Sequence, residues 1–366
     1  MLLNVDVVIL GGGPAGISAA ISLLQKKYTV ALIEKTGYAS FRIGETISPA
    51  VSGLFGKLGI DDKILKAHLP SYLNKSIWGS NVPGEDNFFY NPLGHGWHLD
   101  RMKFDKQLID QAVKMGVHLF SDSNIQTIDQ NKSGKWLIRF LKEGHEKAVN
   151  AGFAIDATGR SALLVKHQGG GRKNIDHLIG IVSVIDKYPK QKHSNYTLVE
   201  AVKNGWWYSA DLPGEKLVVA FMTDADIYKL GKRSTENFYL QNLSATKVTL
   251  KRCGRDFNCN PVVYAANSYI MTKRAGKNWL AIGDAATTYD PLSSSGIFKA
   301  MRDGIEAANS IAQFFIGYKN EIRQFSDLSK ERFIKYLQLR TKYYEMEKRW
   351  EDSLFWNRRK SNLVKS

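Results

Sequence analysis

The stretch VVILGGGPAGISAAISLLQKKYTVALIE, residues 7–34, decides the fold of this chain. An apolar run over residues 5–10 ends at the glycine-rich segment GGGPAG, residues 11–16. A helical pattern follows over residues 17–25, and a second apolar run over residues 29–33 ends in Glu34. Strand, helix and strand in this order predict a βαβ unit.

Each glycine of the turn has a physical role in such a unit. Gly11 permits the tight turn, Gly13 lets the backbone approach a pyrophosphate, and Gly16 lets the helix lie close to the sheet. The unpaired N–H groups at the helix start favour phosphate. Glu34 stands where a carboxylate holds an adenosine ribose, and Lys35 directly after it is included in the same site. The pattern predicts a dinucleotide site, with a ligand-free glycine turn as the alternative.

Composition limits the class of protein. The chain has 366 residues, of which 43% are hydrophobic, enough for two domains or one large one. No apolar run approaches the ~18 residues of a membrane span, and the N-terminus is too short for a signal peptide. We therefore expect a soluble, cytoplasmic protein without a membrane partner. Cys253 and Cys259 lack companion ligands for zinc, so free thiols and no metal site are expected.

The net charge of +16 is unusual for an enzyme of small metabolites. Such a charge speeds association with acidic partners. No nucleic-acid-binding motif accompanies it, so no nucleic-acid partner is expected. A surface for an acidic protein and a generally basic proteome both explain the charge.

Two further charged segments are candidates for the same site. Arg42 and Glu45 lie in the loop after Glu34, where the chain can pass a second time over a dinucleotide. A plain surface loop is the alternative. Arg101 precedes a helix predicted to begin near Lys103, and a guanidinium there suits a phosphate.

The later part of the chain predicts a second sheet and then a return to the first. β-branched and aromatic runs in residues 170–265 indicate an antiparallel sheet. Residues 278–284, NWLAIGD, predict a strand ending in Asp284, whose carboxylate can accept hydrogen bonds from the hydroxyls of a bound cofactor. A long helix predicted over residues 296–315 presents N–H groups at Gly296 and Ile297.

These elements predict an α/β fold, α+β in part, divided into three units. Residues 1–75, 96–168 and 266–315 form a discontinuous, Rossmann-like cofactor-binding domain. Residues 76–95 and 169–265 form an antiparallel-sheet substrate domain, and residues 316–366 form a basic helical C-terminal segment.

Five motifs in order resemble the group A FAD-dependent monooxygenases and the related flavin-dependent halogenases and geranylgeranyl reductases. They are GGGPAG with Glu34, GETISP, LDRMKFDKQLIDQA, DATGRSA and IGDAATTYDPLSSSGI. The resemblance implies FAD as the cofactor. It also implies roles for particular residues: Gly11, Gly13, Pro14, Ala15 and Gly16 at the pyrophosphate, Glu34 at the ribose, Arg101 at the phosphates, Asp284 at the ribityl chain, and Gly296 with Ile297 at the flavin pyrimidine edge.

Within this superfamily the chain most resembles the flavoproteins that mature cysteine tryptophylquinone in lysine and glycine oxidases. Four segments carry this resemblance: GETISP, GWWYSADLP, YDPLSSSGI and EKRWEDSLFWNRRK. This resemblance implies a monooxygenase that uses dioxygen to hydroxylate a tryptophan of a partner, the precursor of a quinone-cofactor oxidase, which the basic charge suggests is acidic. NAD(P)H is the expected reductant. Because no second GxGxxG is present, it binds transiently or its electrons arrive through another protein.

Two other functions stay open. A hydroxylase or halogenase of a small aromatic molecule resembles the chain at GETISP, but Tyr208 and Ala210 replace the tryptophans of the halogenase WxWxIP stretch. Halogenases also use a lysine to steer hypohalous acid, and Lys75 lies in the matching region. Otherwise the catalytic residues are unknown, because the chemistry is centred on the flavin. The third possibility is a binding or chaperone module that has kept a degraded flavin fold.

Overall fold

A computed structural model describes residues 2–38, 42–187, 194–231, 233–254 and 257–360. The strands in chain order are β1 (Leu2–Leu10), β2 (Val30–Ile33), β3 (Thr46–Ile47), β4 (Leu69–Ser71), β5 (Leu73–Ile77), β6 (Gly84–Asn87), β7 (Gly96–His98), β8 (His118–Phe120), β9 (Ser123–Gln130), β10 (Trp136–Lys142), β11 (His145–Asp156), β12 (Arg172–Asn174), β13 (Leu178–Asp186), β14 (Tyr196–Val202), β15 (Gly205–Leu212), β16 (Lys216–Asp224), β17 (Val262–Ala265), β18 (Tyr269–Met271), β19 (Ala275–Gly276), β20 (Trp279–Ala281) and β21 (Thr287–Thr288). The helices are α1 (Pro14–Gln25), α2 (Val51–Leu58), α3 (Arg101–Lys114), α4 (Leu163–His167), α5 (Ala225–Leu230), α6 (Thr235–Leu243), α7 (Val248–Cys253), α8 (Gly296–Phe315), α9 (Glu321–Glu345) and α10 (Leu354–Lys360).

The first sheet contains the predicted βαβ unit. Its main path runs β19-β20-β11-β1-β2-β8, and β10 and β9 continue it from β11. β1 is parallel to β2 and β11, so Leu10 lies opposite both Ile33 and Asp156. The residues of β1 from Val7 onward are fully buried, as expected for a parallel strand covered on both faces. The predicted α/β fold with a Rossmann-like domain is confirmed.

Helices α1 and α8 pack closely on one face of this sheet. Gly304 of α8 makes the approach possible, because a Cβ there would lie 2.4 Å from the Ala15 carbonyl oxygen. α8 spans the residues predicted from sequence, whereas α1 begins at Pro14, three residues earlier than the apolar pattern indicated. α3 likewise begins at Arg101, because the Asp100 side chain accepts a hydrogen bond from the Lys103 N–H and caps the helix there.

The second large sheet has the order β17-β13-β16-β15-β14-β5-β6. It is antiparallel, as predicted, except that β5 pairs in parallel with β14. β5 crosses the domain boundary expected at residue 75. The division into domains stays a prediction.

The C-terminal helix α10 and the end of α9 pack against this second sheet, while α9 also contacts α8, β19 and β20. Trp356 of α10 is fully buried, and its ring centroid lies 5.0 Å from that of Trp78 and 5.7 Å from that of Tyr344 of α9. Arg359 is also buried and reaches an Asp224 carboxylate oxygen at 2.6 Å. Part of the positive charge of α10 is therefore engaged in an ion pair within the fold.

Cys253 and Cys259 are free and buried, so the prediction of free thiols is confirmed. Burial raises the pKa of the Cys253 thiol to about 12. None of the helices in the described part of the chain combines the length and apolar character of a membrane span. Those same residues contain no cluster of histidine, cysteine or acidic side chains suited to a metal ion.

Candidate active site

A cleft of about 630 Å³ opens where β1, β11 and β20 end and the second sheet begins. This size suits a bound cofactor or ligand. The cleft receives the start of α1, the loop 42–46, Asp284 and the segment 289–300. Its opposite wall comes from the second sheet and is mostly apolar, formed by Gly180, Val182, Tyr208, Val218, Ala220 and Met222.

The glycine turn brings backbone rather than side chains to the cleft. Gly11 has a φ of +104°, and a Cβ there would lie 2.3 Å from the Ala157 carbonyl oxygen. Gly13, which caps α1, has nothing within 4 Å of the position a Cβ would take. It provides no side-chain cap, so the first N–H groups of α1 remain available to a ligand.

Asp284 follows β20 and lines the same cleft. The side chain is partly exposed, and no described residue hydrogen-bonds or ion-pairs with its carboxylate. Its backbone carbonyl oxygen accepts a hydrogen bond from the Tyr269 hydroxyl at 2.7 Å, which holds the turn in place. A carboxylate so placed can accept hydrogen bonds from the hydroxyls of a ligand chain.

The start of α8 faces the cleft from the other side. Gly296 has open space where a Cβ would stand, and Ile297 next to it also lines the cleft. Ser295 makes no side-chain cap, so this helix also presents unpaired N–H groups and the positive end of its dipole. Two uncapped helix starts therefore share one cleft.

The guanidinium groups of Arg42 and Arg101 line the cleft, but both are engaged with Asp105. Arg101 reaches the Asp105 carboxylate at 3.0 Å and donates to the Ile43 carbonyl at 2.6 Å. Arg42 reaches Asp105 at 3.2 Å and Glu34 at 3.3 Å. In this geometry Arg101 anchors the loop that carries Arg42, and its predicted contact with phosphate stays a prediction.

Glu34 is buried beside the glycine turn rather than among the residues lining the cleft. Its carboxylate accepts hydrogen bonds from the Gly12 N–H at 2.5 Å and the Thr36 hydroxyl at 2.7 Å. The hydroxyl of Tyr38 lies over the same glycine. Lys35 is exposed and also lies apart from the lining. Their predicted roles at the ribose stay predictions.

Sequence reasoning missed two groups that support the cleft, the phenol of Tyr208 and the carboxylate of Asp290. Glu45 lines the cleft, and its predicted contact with a cofactor stays a prediction. Tyr208 also lines the cleft, and its hydroxyl lies 2.5 Å from that of Thr46. Burial, followed by the proximity of Glu45, raises the pKa of Tyr208 well above its ordinary value, so the phenol stays protonated. The only signal in the sequence was the position of Tyr208 in the WxWxIP comparison.

Asp290 is the second missed residue. It is buried in the cleft wall, where the Tyr344 hydroxyl donates to its carboxylate at 2.8 Å and Arg340 lies at 3.3 Å. Burial raises the pKa of Asp290, and the Arg340 charge opposes that rise. Through this contact α9 holds the loop that precedes α8. Asp290 lies within the quoted motif IGDAATTYDPLSSSGI, but nothing local indicated its partners fifty residues on.

Lys75 stands apart from the cleft. Its ammonium lies 2.8 Å from the Glu85 carboxylate and 4.8 Å from the centroid of the Tyr196 ring. Lys299 does line the cleft, but its ammonium is held by the Gly283 carbonyl at 3.0 Å and Asp303 at 2.8 Å. Its role is to tie the Asp284 turn to α8.

The donor set fits an FAD. Helix starts at Gly13 and Gly296, open where a Cβ would stand, suit a diphosphate and the electron-rich, hydrogen-bond-accepting edge of a ring. The unpaired Asp284 carboxylate between them suits a polyhydroxyl chain. Bound there, FAD would supply redox chemistry beside an apolar wall that excludes water.

Replacing Asp284 by alanine is expected to weaken FAD binding by about tenfold or more, because a hydrogen bond to a charged group contributes ~1.5–3 kcal/mol. Asp284→Asn keeps an acceptor and should lose less. Quenching of flavin fluorescence on titration of the apoprotein measures both. Equal affinities for the wild type and Asp284→Ala would remove this residue from the site.

Comparisons with known proteins agree with this geometry. The family model for tryptophan halogenase matches residues 67–365, and that for pyridine nucleotide-disulphide oxidoreductase matches residues 5–77. A putative FAD-dependent oxidoreductase, LodB, of Marinomonas mediterranea is 30% identical over 97% of this chain and 96% of its own length. The 1H-pyrrole-2-carbonyl-[peptidyl-carrier protein] chlorinase of Pseudomonas fluorescens is 24% identical over 90% of this chain and 79% of its own length.

Two solved structures share the fold. The myxobacterial chondrochloren halogenase CndH has a TM-score of 0.90 at 20% identity, over 99% of this chain and 87% of its own. The peptidyl tryptophan dihydroxylase QhpG, essential for tryptophylquinone cofactor biogenesis, has a TM-score of 0.80 at 19% identity, over 98% and 79%. Because the family match extends across most of the chain and the cleft carries the groups that such a cofactor needs, this protein belongs to the tryptophan halogenase family and is an FAD-dependent oxidoreductase.

Proposed function

We propose that this enzyme is a monooxygenase that hydroxylates an electron-rich aromatic ring, a tryptophan indole, carried by a partner polypeptide during biogenesis of a protein-derived quinone. The observation that carries the proposal is the cleft, in which two helix starts and Asp284 face an apolar wall with room for a flat ring. The reaction replaces a ring C–H by C–OH. One atom of dioxygen enters the ring and the other leaves as water, with two electrons and two protons from the reductant.

The position of Lys75 favours hydroxylation over halogenation. A lysine that steers hypohalous acid must reach the space between flavin and substrate, whereas the Lys75 ammonium is ion-paired with Glu85 outside the cleft. Lys299 in the cleft wall is bound to Asp303. Among the residues that the structure describes, the cleft lining therefore offers no lysine free of a carboxylate.

Halogenation of an aromatic ring is the second candidate, and most of the named activities among the relatives support it better than they support hydroxylation. In that reaction a halide and dioxygen are consumed together with two electrons from the reductant and protons, C–X replaces C–H, and both oxygen atoms leave as water. The chlorinase and the dihydroxylase described above act on substrates carried by a protein. A ring presented by a polypeptide is therefore consistent with either chemistry.

The protein's own contribution is binding, orientation and exclusion of water. The first turn of α1 would hold the diphosphate of the cofactor, the first turn of α8 the edge of its ring, and Asp284 its hydroxyl chain. The wall formed by Val182, Val218 and Ala220 would keep the reacting ring dry. The electrons that activate dioxygen would come from FAD reduced by NAD(P)H, either directly or through a separate reductase. We propose the cytoplasm as the location.

The test supplies the FAD-loaded enzyme with NADH, a flavin reductase and isotopically labelled dioxygen. The substrates are N-acetyltryptophanamide and the peptide Thr-Glu-Val-Glu-Trp-Thr-Glu-Val, each with and without bromide. Mass spectrometry should find labelled oxygen in the indole whether or not bromide is present. Bromine in the ring would establish the second candidate. Reoxidation of the flavin with no change in any substrate would overturn both.

A further inference from the structure

We propose that the outer edge of β17 is the docking site for the partner polypeptide, which adds an extended, acidic strand there and directs an aromatic side chain into the cleft. The inference rests on the proposed function, since it assumes a substrate carried on a chain. It adds the way in which that chain is recognised.

β17 is the last strand of the second sheet and pairs only with β13 among the described strands. The Ala266 N–H donates to the Leu178 carbonyl at 3.0 Å, which makes these two opposed residues a hydrogen-bonded pair. Because such pairs alternate along an antiparallel ladder, Tyr264 and Val262 bond inward to β13. The N–H and C=O groups of Val263 and Ala265 therefore point outward from the sheet.

Within its four residues this edge carries no charge and no proline, although the strand is short and Pro261 precedes it. Natural edge strands carry charges, prolines or bulges, or are covered by other elements. β17 instead carries exposed Val262, Val263 and Tyr264, with 51%, 39% and 37% of their surface accessible, and no charged residue. An extended peptide can use the free backbone groups for affinity and the apolar side chains for packing.

The edge leads directly to the reaction site. Tyr264 and Ala265 belong to the lining of the cleft. Val262 and Tyr264 also line an adjoining hollow of about 410 Å³, which shares Arg42 and Arg101 with the cleft. A peptide strand paired with β17 would thus pass the mouth of the cleft. Every second side chain of that strand would lie on the face of the sheet that carries the hollow and the cleft.

Positively charged side chains lie near both ends of this edge. Near its C-terminal end, Arg160 lines the cleft and donates to the Asn267 side chain at 3.0 Å, and Arg172 donates to the Arg160 carbonyl at 2.6 Å. Lys216 lines the hollow at the other end. None of the three pairs with a carboxylate of the described residues. Together with the net charge of +16, they favour an acidic strand.

The test compares Val263→Pro with the matched control Val263→Thr, which keeps the N–H and the β-branched shape. Proline removes an outward-facing donor without breaking a bond to β13, a position that edge strands tolerate. Anisotropy of the fluorescently labelled acidic tryptophan peptide should show binding weakened by about tenfold or more in Val263→Pro, because the free edge loses a donor and its extended pairing geometry. Val263→Thr should bind like the wild type.

A second measurement leaves the protein unchanged. The same peptide with alternate backbone nitrogens methylated should lose binding to the wild type, and the unmodified peptide should protect the amides of Val263 and Ala265 from hydrogen exchange. Equal binding of methylated and unmodified peptide would overturn the docking proposal, even if Val263→Pro fails to fold. Binding at this edge with no chemical change in the peptide would instead overturn the proposed function alone.

Discussion

Gly13→Val is expected to weaken FAD binding by about a hundredfold, while the free energy of unfolding changes by less than about 1 kcal/mol. Gly13 has φ −80° and ψ −179°, an extended conformation that valine adopts readily. No atom lies within 4 Å of the new Cβ, so the fold is not strained. The side chain would, however, occupy the space through which a diphosphate approaches the first N–H groups of α1. Loss of one or two charge-assisted hydrogen bonds accounts for the expected factor.

Gly304→Ala is the control, for which we expect a loss of stability instead of the nearly unchanged stability of Gly13→Val. Its Cβ would lie 2.4 Å from the Ala15 carbonyl oxygen and 2.8 Å from the Ala19 nitrogen, so α8 must move away from α1. Overpacking of this kind costs about 1–3 kcal/mol of stability. Urea unfolding and flavin titration measure both variants. If Gly13→Val bound FAD like the wild type, the cleft would not hold the diphosphate at this turn.

Trp356→Ala is expected to lower the free energy of unfolding by about 3–5 kcal/mol. Trp356 is fully buried, and its indole N–H donates to the Val202 carbonyl at 3.0 Å. Its removal leaves a cavity among Trp78, Tyr344 and Phe355, together with an unpaired carbonyl. Chemical denaturation monitored by far-ultraviolet circular dichroism gives the value.

The matched control is Trp350→Ala. Trp350 stacks on Trp356 with ring centroids 5.9 Å apart but is only partly buried, so its loss should cost less than half as much. Because Tyr344 touches Trp356 and donates to Asp290 in the cleft wall, Trp356→Ala should also weaken FAD binding. Equal stability losses in the two variants would contradict the anchoring of α9 and α10 by this aromatic cluster.

The local elements of the fold could be predicted because each depends on residues close in sequence. The glycine turn, the strand that follows α1 and the boundaries of α8 all appear in the apolar pattern and its interruptions. The antiparallel character of the second sheet was also predictable from alternating strands. Its parallel pair, β5 with β14, was not, because that pairing joins segments more than a hundred residues apart.

The position of Lys75 illustrates the limit of motif comparison. Its place in the chain suggested a residue beside the flavin, but β5 directs its ammonium to Glu85 of the neighbouring strand. The engagement of Arg42 and Arg101 by one buried carboxylate, Asp105, had no sequence signal either. In both cases the partner of a charge is set by packing, and spacing along the chain does not encode it.

The sequence by itself determined the α/β fold and the turns, strand ends and helix starts on which the predicted dinucleotide site depends, because these are properties of short segments. Only the tertiary structure decided that Gly13, Asp284 and Gly296 share one cleft, and that Asp290 is held by α9. It alone showed that β17 leaves two backbone positions open at the mouth of that cleft. These are matters of distance between remote segments, and burial of apolar surface by the whole chain sets those distances.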